Sequence, residues 1–493
     1  MRDDDRKRLG MDGEKSEHLR STGEAGEPTQ GTPSREGGCR ATEAIEGEMA
    51  RQQRSRTVAT KLGRIATVAR RRRGEALTTL AHHIDLDFLR EAHRLTRKDG
   101  AVGVDGQTAA EYAKNLDENL SDLLERFRSG TYRPPPVRRV EIPKGNGKTR
   151  PIGIPTFEDK ILQRAVTMVL SAVYEQEFRR CSYGFRPRRS AHEALDDLWV
   201  ELMARRGGVV LDVDIEAFFD SLNHRRLRDF LDLRVRDGVI RTTIDRWLRA
   251  GVLEDGRVRR PTEGTPQGGV ISPLLANIYL HHVLDVWFED EIKPRLKGQA
   301  DLTRYADDFV IILDDEDDAR RVMAVLPKRF GKYGLTLHPT KTRMVDFARP
   351  PSRRDDDDDH HPRTFNLLGF THYWSRSRGG SWIVKRSTAK ERMRRALGAI
   401  REFCRRAMHW PLRDQHAALC KKLKGHDGYY GLTGNSPSLK EFRYWVNRIW
   451  RWALNRRSQN RHMPWGRFNA LLKTHPLPPP VVVKSVYRHA ARP

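Results

Sequence analysis

The sequence predicts an α+β protein ending in a basic helical region, and three observations carry that reading. Between residues 82 and 348, helical and strand-like apolar periods alternate without the regular strand–helix–strand punctuation of a parallel sheet. Two short apolar runs, 302–305 and 309–313, flank Ala306-Asp307-Asp308 as a hairpin turning on acidic residues. Beyond residue 380 the composition shifts to 25 basic against 5 acidic side chains, with six of the ten tryptophans.

Residues 1–50 hold 12 acidic and 8 basic side chains and no apolar periodicity, which predicts a disordered leader. Residues 51–80 reverse the sign, 9 basic against 1 acidic, densest at Arg70 to Arg73, and read as a floppy basic arm that condenses on phosphate. Folded character begins near His82, where Ile84, Phe88, Leu89, Ala92 and Leu95 recur at helical spacing up to Lys98-Asp99-Gly100. Residues 161–174 form the next helix, 209–215 a buried strand, and 271–286 a helix opened by Ser272-Pro273. The segment 349–363, with aspartates from Asp355 to Asp359, is a solvated insertion rather than a metal site, because adjacent carboxylates repel. Phe442, Trp445, Ile449 and Trp452 fall at helical spacing; most of the aromatics here are expected to pack a small bundle, and about one in four to stack on nucleic acid. Pro476 and Pro478 to Pro480 then end helix formation, leaving an extended tail.

A chain of 493 residues accommodates roughly three domains. Its net charge of +26, with 37% hydrophobic residues, favours a polyanionic partner, nucleic acid above all, over a compact small-metabolite enzyme. The cysteines at 39, 181, 404 and 420 form no C-x-x-C pair and no zinc spacing, so neither a disulfide framework nor a zinc module is expected. No apolar run approaches the roughly 20 residues of a bilayer span, and Met1-Arg2-Asp3-Asp4-Asp5 lacks the apolar stretch of a secretory signal. The expectation is a cytoplasmic protein without a membrane partner.

The chemistry centres on acidic residues at strand ends. Tyr305-Ala306-Asp307-Asp308 lies between two apolar runs, and Asp214-Ile215-Glu216-Ala217-Phe218-Phe219-Asp220 follows another. Carboxylates so placed can converge on one sheet edge. Paired divalent cations need such hard oxygen ligands, and together they activate a hydroxyl and stabilise a leaving phosphate oxygen, which is nucleotidyl transfer. An aromatic-x-Asp-Asp string alone arises by chance with a probability of ~0.1 in a chain this long, and its bland alternative is a polar turn.

Further strings occur in one order. They run Ile142-Pro143-Lys144-Gly145-Asn146-Gly147-Lys148-Thr149-Arg150-Pro151, Ser182-Tyr183-Gly184-Phe185-Arg186-Pro187 and the Asp214 segment. Gly264-Thr265-Pro266-Gln267-Gly268-Gly269, the Tyr305 hairpin, Leu335-Thr336-Leu337 with Lys341, and Leu367-Leu368-Gly369-Phe370 follow. This ordered set resembles the fingers and palm of reverse transcriptases, most closely the group II intron-encoded reverse transcriptase/maturases, from about Phe88 to about Gln459.

The resemblance implies a right-hand polymerase, fingers and a palm with an antiparallel sheet, followed by an α-helical thumb/maturase domain. Its divisions would be a leader and arm over 1–80, N-terminal extension and fingers over 81–200, palm over 201–379, thumb over 380–458 and a short basic tail over 459–493. The palm would hold a fingers insert at about 225–262 and the acidic loop 349–363. Asp99-Gly100-Ala101-Val102-Gly103-Val104-Asp105-Gly106 resembles the family's N-terminal extension. Asp214, Asp307 and Asp308, with the Ile215 carbonyl, would bind two Mg²⁺ ions. Lys144 and Arg150 would grip the incoming triphosphate, where a guanidinium binds phosphate bidentately. Phe219 would block a ribose 2′-hydroxyl, although Phe218 and Phe219 could exchange roles; Gln267 would lie near nucleotide and template, and Lys341 near the nucleotide.

Implied partners are the group II intron RNA, an RNA template with a DNA primer, a DNA target and dNTPs, in the bacterial cytoplasm. Lys424-Gly425-His426-Asp427-Gly428-Tyr429-Tyr430-Gly431 and the Trp/Arg helices resemble the thumb and maturase region. Many relatives continue into an HNH endonuclease with cysteine pairs. The short stretch after Ser458 and the lack of cysteine after 420 lead us to expect none here, with priming from an existing nick or replication-fork strand. Two alternatives stand beside this reading. Reverse transcriptases of retrons, diversity-generating elements or CRISPR loci are disfavoured by the long basic C-terminal region, and a splicing-only RNA-binding maturase by three intact carboxylates.

Overall fold

The computed structural model describes residues 36–145, 148–254, 257–259, 263–264, 268–351, 363–457 and 462–486. Most of the stretch expected to be a floppy arm, residues 51–71, is instead part of a helix, Glu36–Arg71. Val58, Ile65 and Ala69 recur along one face of it and are buried in the main apolar core with Ile84 and Phe88. Buried Arg234 caps its end, donating to the Ala69 carbonyl at 2.8 Å and the Arg72 carbonyl at 2.7 Å. Charge count misled here because a few apolar residues at the right spacing suffice to dock a helix whose remaining faces are basic. Residues 36–50 of the expected disordered leader belong to the same helix, whereas residues 1–35 and most of the acidic loop, 352–362, lie outside the described residues.

Eleven strands form three sheets among the described residues. The fingers hairpin pairs β1 (Val137–Gly145) with β2 (Lys148–Ile154). β3 (Val209–Asp214) opens the palm. β4 (Val252–Glu254) and β5 (Arg257–Arg259) join the fingers sheet because β4 pairs with β1 in parallel. Thus a segment that lies between β3 and the later sheet strands in sequence pairs with the β1–β2 hairpin in space. The palm sheet has the order β6-β7-β3-β8, antiparallel throughout, with β6 (Ala300–Tyr305), β7 (Asp308–Leu313) and β8 (Arg343–Asp346). A third sheet carries β9 (Phe365–Leu367), β10 (Phe370–Arg376) and β11 (Trp382–Thr388).

Helices pack against these sheets, and their starts follow local chemistry. Thr156 caps Phe157–Tyr174, Ser190 and Glu193 form a reciprocal capping box on Ala191–Ala204, and Asp237 caps Gly238–Arg249. The helix after Ser272-Pro273 runs Ser272–Leu280 and continues with wider turns through Ile292, past the expected end at 286. The C-terminal bundle comprises Lys390–Arg406, Leu412–Tyr430, Ser436–Asn455 and Trp465–Thr474.

Two expectations need correction in this bundle. Its buried stripe on Ser436–Asn455 is Phe442, Val446, Ile449, Trp450 and Ala453, whereas Trp445 and Trp452 remain 40% and 39% exposed. A helix face offers only about a 100° apolar stripe, so residues one step off it stay outside. The segment after 459 is also no simple tail, because Phe468 is buried in the same core and Lys484 bridges to Leu432. No helix among the described residues is long and apolar enough to cross a membrane. Cys181, Cys404 and Cys420 are free thiols.

Candidate active site

The palm sheet brings two of the predicted acids face to face. Asp214 ends β3, Asp308 begins β7, and the two are directly opposite in the antiparallel register. Opposed residues project from the same face with Cβ atoms about 5 Å apart. Asp307 sits in the tight turn between β6 and β7, after Ala306 in the left-handed region at φ 57°. The Tyr183-Gly184-Phe185 segment lies on that turn, so closely that a Cβ at Gly184 would stand 2.4 Å from the Ala306 nitrogen.

Beside Asp214, the Leu335-Thr336-Leu337 string adds a short edge. His338 N donates to the Asp214 carbonyl, Glu216 N donates to the Thr336 carbonyl, both at 2.8 Å, and Ile215 bridges to Leu337. This returns Lys341 to the site, its Nζ 2.6 Å from Asp214 Oδ2. The chain then turns at Ala217, φ 45°, presenting Phe218 and Phe219 edge to face at 5.4 Å. Both are buried, Phe219 nearer the surface.

Two ends of the glycine-rich segment approach from opposite sides. A Cβ at Gly264 would lie 2.8 Å from the Asp220 carbonyl oxygen, and one at Gly268 2.5 Å from the Gly153 oxygen in β2. Gln267, between them, lies outside the described residues, as does the side chain of Lys144, whose backbone belongs to β1. Arg150 stands in β2, exposed, and its positive charge lowers the proton affinity of Asp307.

The electrostatics are those of crowded carboxylates. Burial pushes Asp308 up to about 7, reinforced by the negative charges of Asp212, Asp307 and Asp214 and opposed by the Leu368 amide at 3.4 Å. Asp307 is raised by burial and by Asp214, with Arg150 and Arg304 acting against. Asp212 is raised by burial, with Arg343 at 3.1 Å opposing. Acids buried together raise each other's proton affinity, and such clustering marks a site whose counter-charge comes with its ligand. The donors are hard oxygens suited to a divalent cation. Among the described residues no three carboxylate, imidazole or thiol groups converge on one cation-sized point, and the Lys341 ammonium rests on Asp214.

Sequence reasoning missed Asp212 and Arg304. Asp212 does carry a signal, a charge between the apolar residues of Leu211-Asp212-Val213, whereas Thr303-Arg304-Tyr305 lies in a strand that already holds Asp301 and offers none. Sequence reasoning placed Tyr429 in the thumb string but missed its link to the site: its hydroxyl donates to the Leu368 carbonyl at 2.8 Å, joining the helical bundle to the turn beside Asp308.

Residues 142–372 match the family model described as reverse transcriptase (RNA-dependent DNA polymerase). Protein YkfC of Escherichia coli is 37% identical over 258 residues, covering 46% of this chain and 68% of that protein. The group II intron-encoded protein LtrA of Lactococcus lactis subsp. cremoris is 43% identical over 168 residues, 34% of this chain and 28% of LtrA. An uncharacterized 91 kDa protein in the cob intron of Schizosaccharomyces pombe is 35% identical over 391 residues, 66% of this chain and 47% of that protein.

Proposed function

Because this chain belongs to the group II intron family of reverse transcriptases and maturases, a family of RNA-directed DNA polymerases, we propose that it copies RNA into DNA at the palm turn by two-metal nucleotidyl transfer. In the same reading it binds its intron RNA as a maturase. The observation that carries the polymerase reading is the direct opposition of Asp214 and Asp308 with Asp307 in the turn between β6 and β7.

The family uses divalent metal ions, and here Asp214, Asp307, Asp308 and the Ile215 carbonyl would hold two Mg²⁺. Bound there, the metal would ease deprotonation of the primer 3′-hydroxyl and offset charge on the departing pyrophosphate. Lys144 and Arg150 neutralise the incoming triphosphate, and Lys341 exchanges Asp214 for the same polyanion. Phe219, at the mouth of the core, stands against a ribose 2′-hydroxyl and so favours dNTPs; Gln267 would serve near the nucleotide and template.

Intron RNA binding is supported by the basic C-terminal region and its exposed rings. The Arg448 guanidinium lies 5.4 Å from the Trp445 ring and that of Arg456 5.1 Å from Trp452, a mixture of charge and stacking surface suited to RNA. The ribozyme, not these carboxylates, would perform splicing. The test is primer extension on poly(rA)/oligo(dT) with Mg²⁺, wild type against Asp308→Ala, beside splicing of the flanking intron RNA. Synthesis lost in the variant with splicing kept supports both halves. No synthesis by the wild type removes the polymerase half, and no effect on splicing by either protein removes the maturase half.

A further inference from the structure

We infer that Arg304 is a positioning residue of the palm turn: its enclosed guanidinium sets the direction in which Asp307 and Asp308 leave the hairpin. The inference rests on the metal-binding reading of those two carboxylates.

Arg304, the penultimate residue of β6, is 0% exposed. A guanidinium carries five N–H groups in a rigid fork, and here each has its own acceptor. Nε donates to Asp285 Oδ1 at 2.7 Å, and Nη2 to Asp285 Oδ2 at 2.5 Å and Ser182 Oγ at 2.8 Å. Nη1 donates to Asn277 Oδ1 and to the Ala306 carbonyl, both at 3.0 Å. The last bond bears on chemistry. A peptide group is planar, so holding the Ala306 oxygen also holds the Asp307 nitrogen, and with it the start of the acidic pair.

The turn needs such a hold. Ala306 is left-handed without being glycine, a strain of about 1 kcal/mol or more that persists only where surroundings dictate it. Asn277 supplies the second half of the clamp, since its Nδ2 donates to the Gly184 carbonyl at 2.7 Å, the residue that presses on Ala306 from outside. Arg304's own backbone joins the same segment, its N donating to the Cys181 carbonyl at 2.8 Å and its carbonyl accepting from Tyr183 N at 2.9 Å. Three separate motifs therefore meet on one side chain: the Ser182 string, the helix that follows the glycine-rich segment, and the acidic turn. Stability alone is a weak reason for the pair, because well-packed apolar residues often replace a buried ion pair at no cost. Lysine, a point charge with three donors, cannot reproduce the fork.

The experiment titrates Mn²⁺ into the full-length protein, read by the loss of free-ion paramagnetic resonance signal, for wild type, Arg304→Lys and Asp307→Asn. Thermal unfolding and primer–template binding are followed alongside. Arg304→Lys is expected to weaken Mn²⁺ binding about tenfold while keeping primer–template affinity. In primer extension its half-saturating Mg²⁺ rises by a similar factor, kcat recovers at high Mg²⁺ and the KM for dTTP stays put, a pattern that general destabilisation does not produce. Wild-type Mn²⁺ affinity in folded Arg304→Lys would overturn the inference. If that variant does not fold, Ser182→Ala takes its place, with about threefold weaker Mn²⁺ binding expected and unchanged affinity overturning it. Should Asp307→Asn bind Mn²⁺ as wild type does, the metal reading itself fails and this inference with it.

Discussion

Asp159 in the fingers and Asp308 in the palm are both buried aspartates, and burial raises both, to about 6 and about 7. Their surroundings differ. Asp159 accepts from Tyr132 Oη at 2.9 Å, Trp247 Nε1 at 2.5 Å and Gln163 Nε2 at 2.9 Å, three neutral donors that satisfy it in place. Asp308 has one amide at 3.4 Å and is surrounded by Asp212, Asp307 and Asp214. A third buried acid, Asp285, is held below its usual range because the Arg304 guanidinium outweighs its burial. Burial alone therefore does not identify a functional acid. The informative feature is a buried acid whose neighbours repel it, since that arrangement costs free energy that an arriving cation would return.

The largest expected effect sharpens the contrast at its palm end. Asp308→Asn should lower the rate of primer extension by about 10³-fold with primer–template binding, followed by fluorescence anisotropy, little changed. Asp159→Ala should do the reverse. Leaving Tyr132, Trp247 and Gln163 without their acceptor costs about 3 kcal/mol, seen as a lower denaturation midpoint, while the folded fraction polymerises normally. A large loss of specific activity per folded molecule would break the comparison by giving Asp159 a part in catalysis.

The same residue predicts a pH effect. Folding raises the proton affinity of Asp159 above its unfolded value near 4, so the folded state binds the extra proton between about 4 and 6. Its contribution to stability is therefore fully present below about 4 and falls as pH rises through 6. Denaturation of wild type and Asp159→Asn at pH 4, 5 and 7 should show stabilities that diverge by about 2–3 kcal/mol across that window. A constant difference would mean that folding leaves the proton affinity of Asp159 unchanged.

Smaller effects are expected at the edges of the site and on the bundle. Phe219→Ala should relax discrimination between dNTPs and rNTPs by about tenfold, measured as the ratio of kcat/KM values, whereas Phe218→Ala should act on stability because Phe218 is the more deeply buried. If the two exchange these outcomes, their roles are swapped. Trp445→Ala should weaken intron RNA binding by about 1 kcal/mol and leave thermal stability nearly unchanged, since its ring is largely outside the core.

Legibility in the sequence tracks the range of the interaction. The strand–turn–strand around Ala306-Asp307-Asp308 and the helix start at Ser272-Pro273 were readable because alternation and proline placement act within a few residues, whereas the capping box at Ser190 went unread. The docked part of the Glu36–Arg71 helix carried its signal too, in Val58, Ile65 and Ala69, but the surrounding arginines concealed it. Trp445 and Trp452 illustrate the opposite error, where hydrophobic character suggested burial and the width of the helix face left them outside.

By itself, then, the sequence determined the order of the motifs, the α+β class, the acidic hairpin and the basic, aromatic C-terminal region, because each depends on residue type and local period. Only the tertiary structure decided which charges meet: Asp214 with Lys341, 127 residues apart, and Arg304 with Ser182, 122 apart. Such partners share no local period, and an arginine within a short strand has the same appearance in a sequence whether it reaches solvent or is enclosed beneath the turn that carries the acids.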